Sequence, residues 1–380
     1  MTSAGPPARD RVWALVAGGG TAGHALPGIA VANELVAGGR DPSEIHFVGA
    51  ARGIERTLVP EAGFGITLLP GRGIQRRLTL DNVGAVWGLV RAMGQAVGLV
   101  RRTRPAVVLA VGGFASAAVA LAAVLWRVPL VVADQNARAG AANRLVGRFA
   151  RSCAVPFPET DLPRAVVTGN PVRAEVLAVA TRRDRAAARA ELGVPEGRTL
   201  VVEFAGSLGS RRLNDATFEC ARRWADRHDL ALYHVVGARD WDDGRVPPEL
   251  VAATREDGLW YRAVRYEDRM ATVLAAADLA VCRSGGTTVA ELAVVGVPSV
   301  LVPLPIATRD HQRFNAGPLV AAGAAVLVDD ASFDGDRMEA EVLPLLADGR
   351  LDAMASAARS LGRPDAAAAV AALVTEAARA

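Results

Sequence analysis

The sequence predicts an α/β protein made of two doubly wound, Rossmann-like domains. Short apolar, β-rich runs alternate along the chain with longer runs rich in alanine and leucine, as is typical of βα units with buried parallel strands. Glycine follows many of the strand-like runs, at the strand ends where open parallel sheets bind ligands. A length of 380 residues with 51% hydrophobic residues supplies enough apolar material for two cores.

Five strand-like runs fall in each half of the chain. In order they are VWALVAG, IHFVGA, AVVLAVGG, PLVVADQ and AVVTGN, then TLVVEFAG, LALYHVVG, DLAVCRSGG, PSVLVPL and AAVLVDD. We expect all ten as buried parallel strands, with the ends of both sheets facing a common cleft. Pro171 interrupts the chain after the strand ending at Gly169, so the predicted domains are 1–172 and 173–361. An arginine-rich helical segment is expected around Thr181 to Leu192, and an alanine-rich helix, about 362–380, is expected to pack back on the first domain.

The composition excludes several classes of protein. A net charge of +3 argues against a dedicated nucleic-acid binder. All 43 basic residues are arginine, which excludes Schiff-base chemistry and a Walker-type phosphate loop, since both need a lysine. Cys153, Cys220 and Cys282 are too widely spaced to suggest a zinc site, and they fit a reducing cytoplasm. We therefore predict no metal site.

Neither a signal peptide nor a membrane span is expected. The N-terminal apolar run is brief and leads directly into a glycine loop, unlike a cleavable signal. The longest apolar stretch, Phe114 to Trp126, is shorter than the roughly 20 residues that cross a bilayer. Any contact with a membrane is therefore expected to be peripheral.

The first strand leads into GGGTAGH, which places His24 where a helix begins. The glycines let the backbone approach a ligand closely, and a helix N-terminus offers unpaired N–H groups to an anion. Gly18, Gly20 and Gly23 satisfy G-x-G-x-x-G, but a match of this size is weak. The loop is either a tight turn with a histidine packed nearby or a site in which the neutral imidazole of His24 is a general base.

Two loops of the second half are also candidate phosphate sites. AGSLGS follows its first strand and presents Ser207 with Arg211 or Arg212 nearby, although a plain turn explains it equally well. In CRSGGTTVAEL a strand ends at Arg283 and a helix begins with Thr287 and Thr288. Its N-terminus suits a phosphate, and Glu291 either binds a ribose diol or interacts favourably with the helix dipole.

Taken together, these motifs resemble the MurG family. GGGTAGHALPGIAVANEL, QNARAGAANR, TGNPVR, AGSLGSRRLN and CRSGGTTVAEL with GVPSVLVPLP and DHQRFNA occur in the family's order and nearly at its spacing. The resemblance covers essentially the whole chain. It implies the GT-B architecture and an inverting hexosyltransferase that moves N-acetylglucosamine from UDP-N-acetylglucosamine to lipid I, forming lipid II for peptidoglycan. It also implies no bound cofactor, a peripheral position on the cytoplasmic face of the plasma membrane, and other cell-wall synthesis proteins as partners.

The resemblance also implies roles for individual residues. His24 matches the family's essential histidine, and Thr21, Ala22 and Gly23 match its first-loop contacts. The remaining sugar-nucleotide contacts are expected at Asn136, Arg173, Ser207, Gly286, Thr287, Thr288, Glu291 and Gln312, with Glu291 on the ribose and Gln312 toward the donor sugar.

Two motifs depart from the family pattern. ADQN replaces the usual H-E-Q-N, at Ala133 and Asp134, and AGSLGS replaces G-G-S-Q-G-A, with Leu208 at a polar position. Three alternatives therefore stay open: a non-catalytic GT-B-like scaffold, a transferase with another acceptor, and a non-hydrolysing UDP-N-acetylglucosamine epimerase. A further open point is whether His24 only orients the acceptor.

An apolar and basic segment, residues 71–104, is the expected membrane-binding surface. Apolar residues with a tryptophan, flanked by arginines, suit the headgroup region of an anionic membrane. The residues assigned to this surface and to the acceptor are Ile74, Arg76, Arg77, Leu78 and Trp87. Residues 97–100 are expected instead to pack on the first domain.

Overall fold

The computed structural model describes residues 12–70, 81–251, 258–347 and 349–379. The chain divides into two compact units, between Arg173 and Ala174 and again between Gly362 and Arg363, so that the last helix belongs to unit 1.

The described strands and helices alternate along the chain. The strands are β1 (Ala14–Gly18), β2 (Ile45–Ala50), β3 (Gly65–Leu69), β4 (Val107–Gly112), β5 (Leu130–Ala133), β6 (Ser152–Val155), β7 (Ala165–Val167), β8 (Thr199–Phe204), β9 (Leu230–Val235), β10 (Trp260–Val264), β11 (Leu279–Cys282), β12 (Ser299–Leu301) and β13 (Ala325–Leu327). The helices are α1 (Ala22–Ala37), α2 (Glu55–Glu61), α3 (Asp81–Thr103), α4 (Phe114–Leu125), α5 (Ala141–Val146), α6 (Ala174–Thr181), α7 (Arg185–Leu192), α8 (Arg211–Arg223), α9 (Ala238–Asp242), α10 (Pro248–Val251), α11 (Met270–Ala276), α12 (Gly286–Val295), α13 (His311–Ala321), α14 (Gly335–Leu345), α15 (Arg350–Leu361) and α16 (Ala366–Arg379).

Unit 1 is a parallel sheet in the order β3-β2-β1-β4-β5-β6-β7, with helices on both faces. Alternate side chains of β1 enter two different cores. Leu15 packs with α3 and α4, whereas Val16 packs with α1 and α16. A strand covered on both faces has no solvent side, which explains why these strands are continuous apolar runs rather than alternating ones.

Unit 2 is a second parallel sheet, in the order β10-β9-β8-β11-β12-β13. Its main core lies between this sheet and helices α8 and α14, with Leu213, Phe218, Met338 and Val342 buried. The two doubly wound units confirm the predicted fold class.

Several local expectations need correction. Three strands were missed, β3, β6 and β10, because they are short or interrupted by polar residues. The run AVVTGN is not buried: it forms the edge strand β7, with Val166 39% and Val167 40% exposed. The arginine-rich segment is not one helix from Thr181, because Asp184 caps a new helix, accepting a hydrogen bond from the Ala187 amide at 2.9 Å.

Other local expectations are confirmed. Leu99 and Val100 of α3 are buried in the core of unit 1, with Val97 partly buried beside them. The alanine-rich tail forms α16, whose Val370 and Val374 are buried. Among the described residues, no helix is long and apolar enough to span a membrane.

His46 is a buried titratable group within the sheet of unit 1. It lies on β2, is 5% exposed, and its Nε2 is 2.8 Å from the Thr67 hydroxyl on β3. Burial and, to a smaller extent, the positive charge of Arg102 together lower the pKa of His46 to about 4. The ring is therefore neutral in the folded protein at neutral pH.

This shifted pKa predicts a pH-dependent stability. Below about pH 6.5 the unfolded chain binds a proton at His46, whereas the folded protein does so only below about pH 4. The free energy of unfolding is therefore highest above pH 6.5 and decreases as the pH falls toward about 4. Wild type should lose about 2 kcal/mol of unfolding free energy through His46 between pH 7 and pH 5. Urea unfolding of wild type and His46→Gln at both pH values measures this, and equal pH dependence in the two proteins would contradict it.

Candidate active site

The first glycine loop of unit 1 ends in a contact between Thr21 and His24. Thr21 is the N-cap residue of α1, yet its hydroxyl makes no cap bond and lies 3.1 Å from Nδ1 of His24. His24 itself stands in the first turn of α1, half-buried, with its backbone N–H donating to the Thr21 carbonyl. The hydroxyl orients the imidazole, whichever ring nitrogen carries the proton.

The loop after β4 packs against the same histidine. A Cβ atom at Gly112 would lie 3.0 Å from Nε2 of His24 and 3.5 Å from Nδ2 of Asn143, so both side chains lie over this glycine. A Cβ atom at Gly113 would lie 2.2 Å from the carbonyl oxygen of Gly19. Only glycine allows the two loops to meet this closely, and Gly113 also has a positive φ of 88°.

Asp134 organises the loop that follows β5. Its carboxylate accepts hydrogen bonds from the backbone N–H groups of Asn136 and Gly140, each at 3.0 Å, and from the Asn143 amide at 2.9 Å. The shorter acidic residue of ADQN is therefore a structural anchor for Asn136 and Asn143. Sequence reasoning had treated Asp134 only as a departure from the family pattern.

In unit 2, the loop after β8 exposes Ser207. The Ser207 carbonyl accepts from the Ala238 amide at 3.1 Å, and its neighbour Leu208 is 64% exposed. A Cβ atom at Gly209 would lie 1.9 Å from the Val236 carbonyl oxygen, so this loop rests directly on the backbone that follows β9. The side chains at 207 and 208 consequently face outward.

Arg283 joins three loops at the carboxyl ends of β8, β11 and β12. One terminal nitrogen donates to the carbonyls of Val302 and Pro303 at 3.0 and 3.1 Å, and the other donates to the Ser210 hydroxyl at 2.6 Å and pairs with Asp330 at 2.6 Å. The side chain is only 10% exposed. This junction brings the Ser207 loop close to the start of α12. An arginine at a strand end is its only indication in the sequence.

The start of α12 holds four of the predicted residues. Gly286 is buried at its first position, and Thr287, Thr288 and Glu291 are half-buried. Amides of the first helical turn have no intrahelical acceptor, so they suit an anion. Asn315 of α13 donates to the Ser284 carbonyl at 3.1 Å and fixes the turn before this helix.

Gln312 and Arg173 occupy different surroundings. The Gln312 side-chain oxygen accepts from the Leu304 amide at 2.9 Å, which ties α13 to the loop after β12 beside the Arg283 junction. The two residues that directly precede α13, Arg309 and Asp310, adopt left-handed conformations with φ values of 58° and 53°. Arg173 is half-buried at the end of the first segment of unit 1.

A buried polar pair lies beneath the β8 loop and was missed. Glu203 and His234 are register partners on β8 and β9, both fully buried, with carboxylate oxygen and Nε2 2.9 Å apart. Burial raises the pKa of Glu203, while His234 opposes this shift. Tyr261 lies 2.9 Å from Nδ1 of the same ring. Since such partners lie on separate strands, no local pattern indicates them.

The expected membrane residues cannot be located. Ile74, Arg76, Arg77 and Leu78 lie outside the described residues, as does the side chain of Trp87. Within the described part of the chain, no cluster of three or more His, Cys, Asp and Glu side chains is arranged to hold a metal ion.

A described surface of unit 1 combines apolar and basic residues, as the predicted membrane-binding segment does. We name this surface the α5 face. It comprises Arg144, Leu145, Arg148, Phe149 and Arg151, all exposed, with Leu145 at 49% and Phe149 at 56%. Asp161 lies 3.8 Å from Arg144. The buried side of α5 carries Asn143, whose side-chain amide lies over Gly112, as the His24 ring also does.

Comparison with known families matches both units. Residues 14–155 match the glycosyltransferase family 28 N-terminal domain, and residues 199–370 match the glycosyltransferase family 28 C-terminal domain.

Individual relatives extend the match over nearly the whole chain. A Desulforudis audaxviator protein named UDP-N-acetylglucosamine--N-acetylmuramyl-(pentapeptide) pyrophosphoryl-undecaprenol N-acetylglucosamine transferase is 37% identical, covering 92% of this chain and 94% of its own. An Anaeromyxobacter protein of the same name is 39% identical, covering 93% and 90%. The crystal structure of Acinetobacter baumannii MurG superposes with a TM-score of 0.73 at 25% identity, covering 96% and 99%. A putative UDP-N-acetylglucosamine 2-epimerase from Listeria monocytogenes gives 0.70 at 19% identity, covering 96% of each, and shares the fold alone.

Proposed function

The chain belongs to glycosyltransferase family 28, and we propose that it transfers N-acetylglucosamine from UDP-N-acetylglucosamine to lipid I, the undecaprenyl-diphosphate-linked muramoyl-pentapeptide, to form lipid II. The observation that carries this proposal is the 37 to 39% identity to transferases of that name over 92 to 93% of the chain. It makes the protein an enzyme of peptidoglycan synthesis.

The alternatives are weaker on specific grounds. The epimerase shares only the fold at 19% identity. A non-catalytic scaffold has no need of the oriented histidine or of the three loops joined by Arg283. The altered motifs, ADQN and AGSLGS, are compatible with an ordered site, because Asp134 anchors its loop and Leu208 points outward.

The proposed reaction divides between the two units. Unit 2 holds the UDP-sugar: the diphosphate meets Ser207 and the first turn of α12, Glu291 binds the ribose, and Gln312 faces the sugar. In unit 1, the proposed donor contacts are Thr21, Ala22, Gly23, Asn136 and Arg173. The acceptor hydroxyl attacks the anomeric carbon, the bond to the diphosphate breaks, and UDP leaves. His24 takes the hydroxyl proton, and the configuration at the anomeric carbon inverts.

A product assay tests the function as a whole. Purified protein is incubated with radiolabelled UDP-N-acetylglucosamine, with and without lipid I. We expect label in the lipid fraction only when the acceptor is present. Formation of the 2-epimer, or release of free sugar with no labelled lipid, would contradict the proposal.

The role of His24 predicts a loss of turnover. His24→Ala removes the proposed base, so kcat should fall by about 10²- to 10⁴-fold, as is typical when a general base is lost. Donor KM and thermal stability should stay near wild type, because His24 is half-buried and its backbone bonds remain. Steady-state kinetics at saturating acceptor provide the measurement, and a kcat within a few-fold of wild type would exclude the base role.

The role of Glu291 predicts a loss of donor affinity. Glu291→Gln keeps the shape of the side chain but loses charge-assisted bonds to the ribose, worth about 1.5 to 3 kcal/mol. Donor KM should rise roughly 10- to 100-fold with a smaller effect on kcat. Glu339→Gln, on α14 of the same unit, is the control for loss of one carboxylate. An unchanged donor KM in Glu291→Gln would refute the assignment.

We further propose that the protein binds the inner surface of the plasma membrane through unit 1. The α5 face supports this, because three exposed arginines attract anionic headgroups and Leu145 and Phe149 enter the interface. Asn143, on the buried side of the same helix, lies over Gly112 with the His24 ring, so this face keeps a lipid-linked acceptor near His24. The segment around Ile74 to Trp87 stays a predicted membrane contact, and other cell-wall proteins stay predicted partners.

Liposome binding tests the membrane proposal. Each arginine near an anionic surface contributes about 1 kcal/mol, so Arg148→Gln with Arg151→Gln should weaken binding roughly 30-fold. The matched control is Arg222→Gln with Arg337→Gln, which removes the same charge from exposed positions of unit 2. Co-sedimentation with vesicles containing phosphatidylglycerol gives the affinities, and equal losses in both double variants would mean that only net charge matters.

A further inference from the structure

Glu55 is a buried acid that the proposed reaction does not use. It is the first residue of α2 and only 2% exposed. Its carboxylate accepts a hydrogen bond from the Ala50 amide at 2.7 Å and from the Gly20 amide at 3.1 and 3.0 Å, one distance to each oxygen. One side chain therefore ties the end of β2 to the glycine loop after β1, 35 residues earlier in the chain.

Three glycines make room for this carboxylate. A Cβ atom at Gly19 would lie 2.1 Å from one carboxylate oxygen, at Gly53 2.1 Å from the other, and at Gly49 2.4 Å from the Glu55 Cγ. None of the three has a positive φ, so space rather than backbone conformation requires glycine there. Gly19 after β1, together with Gly49 and Gly53 near the end of β2, thus forms a close-fitting pocket for one charged group.

The bond to Gly20 controls the geometry of the loop beside His24. Gly20 has a φ of 102° and directly precedes Thr21, whose hydroxyl lies against the imidazole. Without an acceptor, the Gly20 amide at the mouth of α1 would be open to an anion, as in phosphate-binding loops. The Glu55 carboxylate accepts the hydrogen bond of that amide, so the amide is not available to an external anion. The same bond fixes the backbone from which Thr21 and His24 extend.

We propose that Glu55 is a positioning residue for glycosyl transfer. It acts as an internal anion that holds the loop from Gly18 to Thr21, so that Thr21 presents the His24 ring in its reactive orientation. This inference rests on the proposed role of His24. It assigns Glu55 no contact with either substrate. Because Thr21 is also a proposed donor contact, donor affinity should change, but less than turnover does.

The test uses Glu55→Gln and the full-length enzyme. The variant keeps one acceptor oxygen but turns an amide N–H₂ toward the Gly20 N–H, so the loop shifts. We expect kcat to fall about 10- to 100-fold, since small misplacements of a catalytic group have effects of this size. The donor KM should change less than kcat does. UDP affinity measured by calorimetry should stay within about threefold of wild type, a margin of under about 1 kcal/mol, because Ser207, the first turn of α12 and Glu291 of unit 2 are its main proposed contacts.

A matched control separates positioning from general destabilisation. Phe64→Leu alters a buried ring that packs on Phe47 in the same unit, 5.3 Å between centroids. Phe64 directly precedes β3, at the amino ends of the parallel strands, whereas Gly20 and Glu55 follow the carboxyl ends of β1 and β2. It should lower the melting temperature while leaving kcat near wild type. If Phe64→Leu lowers kcat as much as Glu55→Gln at the same loss of stability, or if Glu55→Gln retains full kcat, the proposal is wrong.

A double-mutant cycle keeps the test decisive if Glu55→Gln folds poorly. Gly53→Ala places a Cβ atom against the carboxylate and should lower kcat on its own. Glu55→Ala removes the side chain that this Cβ atom would meet. Gly53→Ala should therefore cause no further loss of kcat in the Glu55→Ala background, and additive losses of kcat would overturn the proposal. Lipid II formation by wild type in the same assay is the reference, because its absence would refute the proposed function rather than the role of Glu55.

Discussion

Backbone-to-backbone contact between the loops that follow adjacent parallel strands is the constraint on which both units depend. In unit 1, Gly113 after β4 leaves no room for a Cβ atom against Gly19 after β1. In unit 2, Gly209 after β8 lies equally close to the backbone after β9. Parallel pairing brings these loops together at one edge, and glycine permits the approach, so residues such as His24 and Ser207 are presented at fixed places.

In each unit a buried charged side chain joins separate loops, and the side chains of Glu55 in unit 1 and Arg283 in unit 2 have opposite sign. Glu55 accepts hydrogen bonds from backbone N–H groups, whereas Arg283 donates to backbone carbonyls and is neutralised by Asp330. Removing one member of a buried ion pair is expected to destabilise a protein by about 3 to 5 kcal/mol, because a charge is left uncompensated. The hydrogen bonds of Glu55 and Arg283 thus hold loops that are flexible by composition in a single conformation.

Much of the candidate site was accessible from the sequence, and the reasons are local. GGGTAGH predicts a strand-to-helix turn with His24 in the first helical turn, and the structure has that arrangement. CRSGGTTVAEL likewise predicts the start of α12. The sequence did not indicate that the Thr21 hydroxyl contacts His24 or that Asp134 anchors three donors, since a hydrogen bond depends on side-chain direction.

The sequence by itself determined most of the order of strands and helices, the glycine loops and the helix that carries His24, because periodicity and backbone freedom act over a few neighbouring residues. Only the tertiary structure decided that β1 lies between β2 and β4. That strand order brings Glu55, Gly112 and Asn143 around the first loop, and in unit 2 it brings Ser210 to Arg283. Such partners are far apart along the chain, and the free energy that pairs them comes from burying both faces of a sheet, which no short segment does alone.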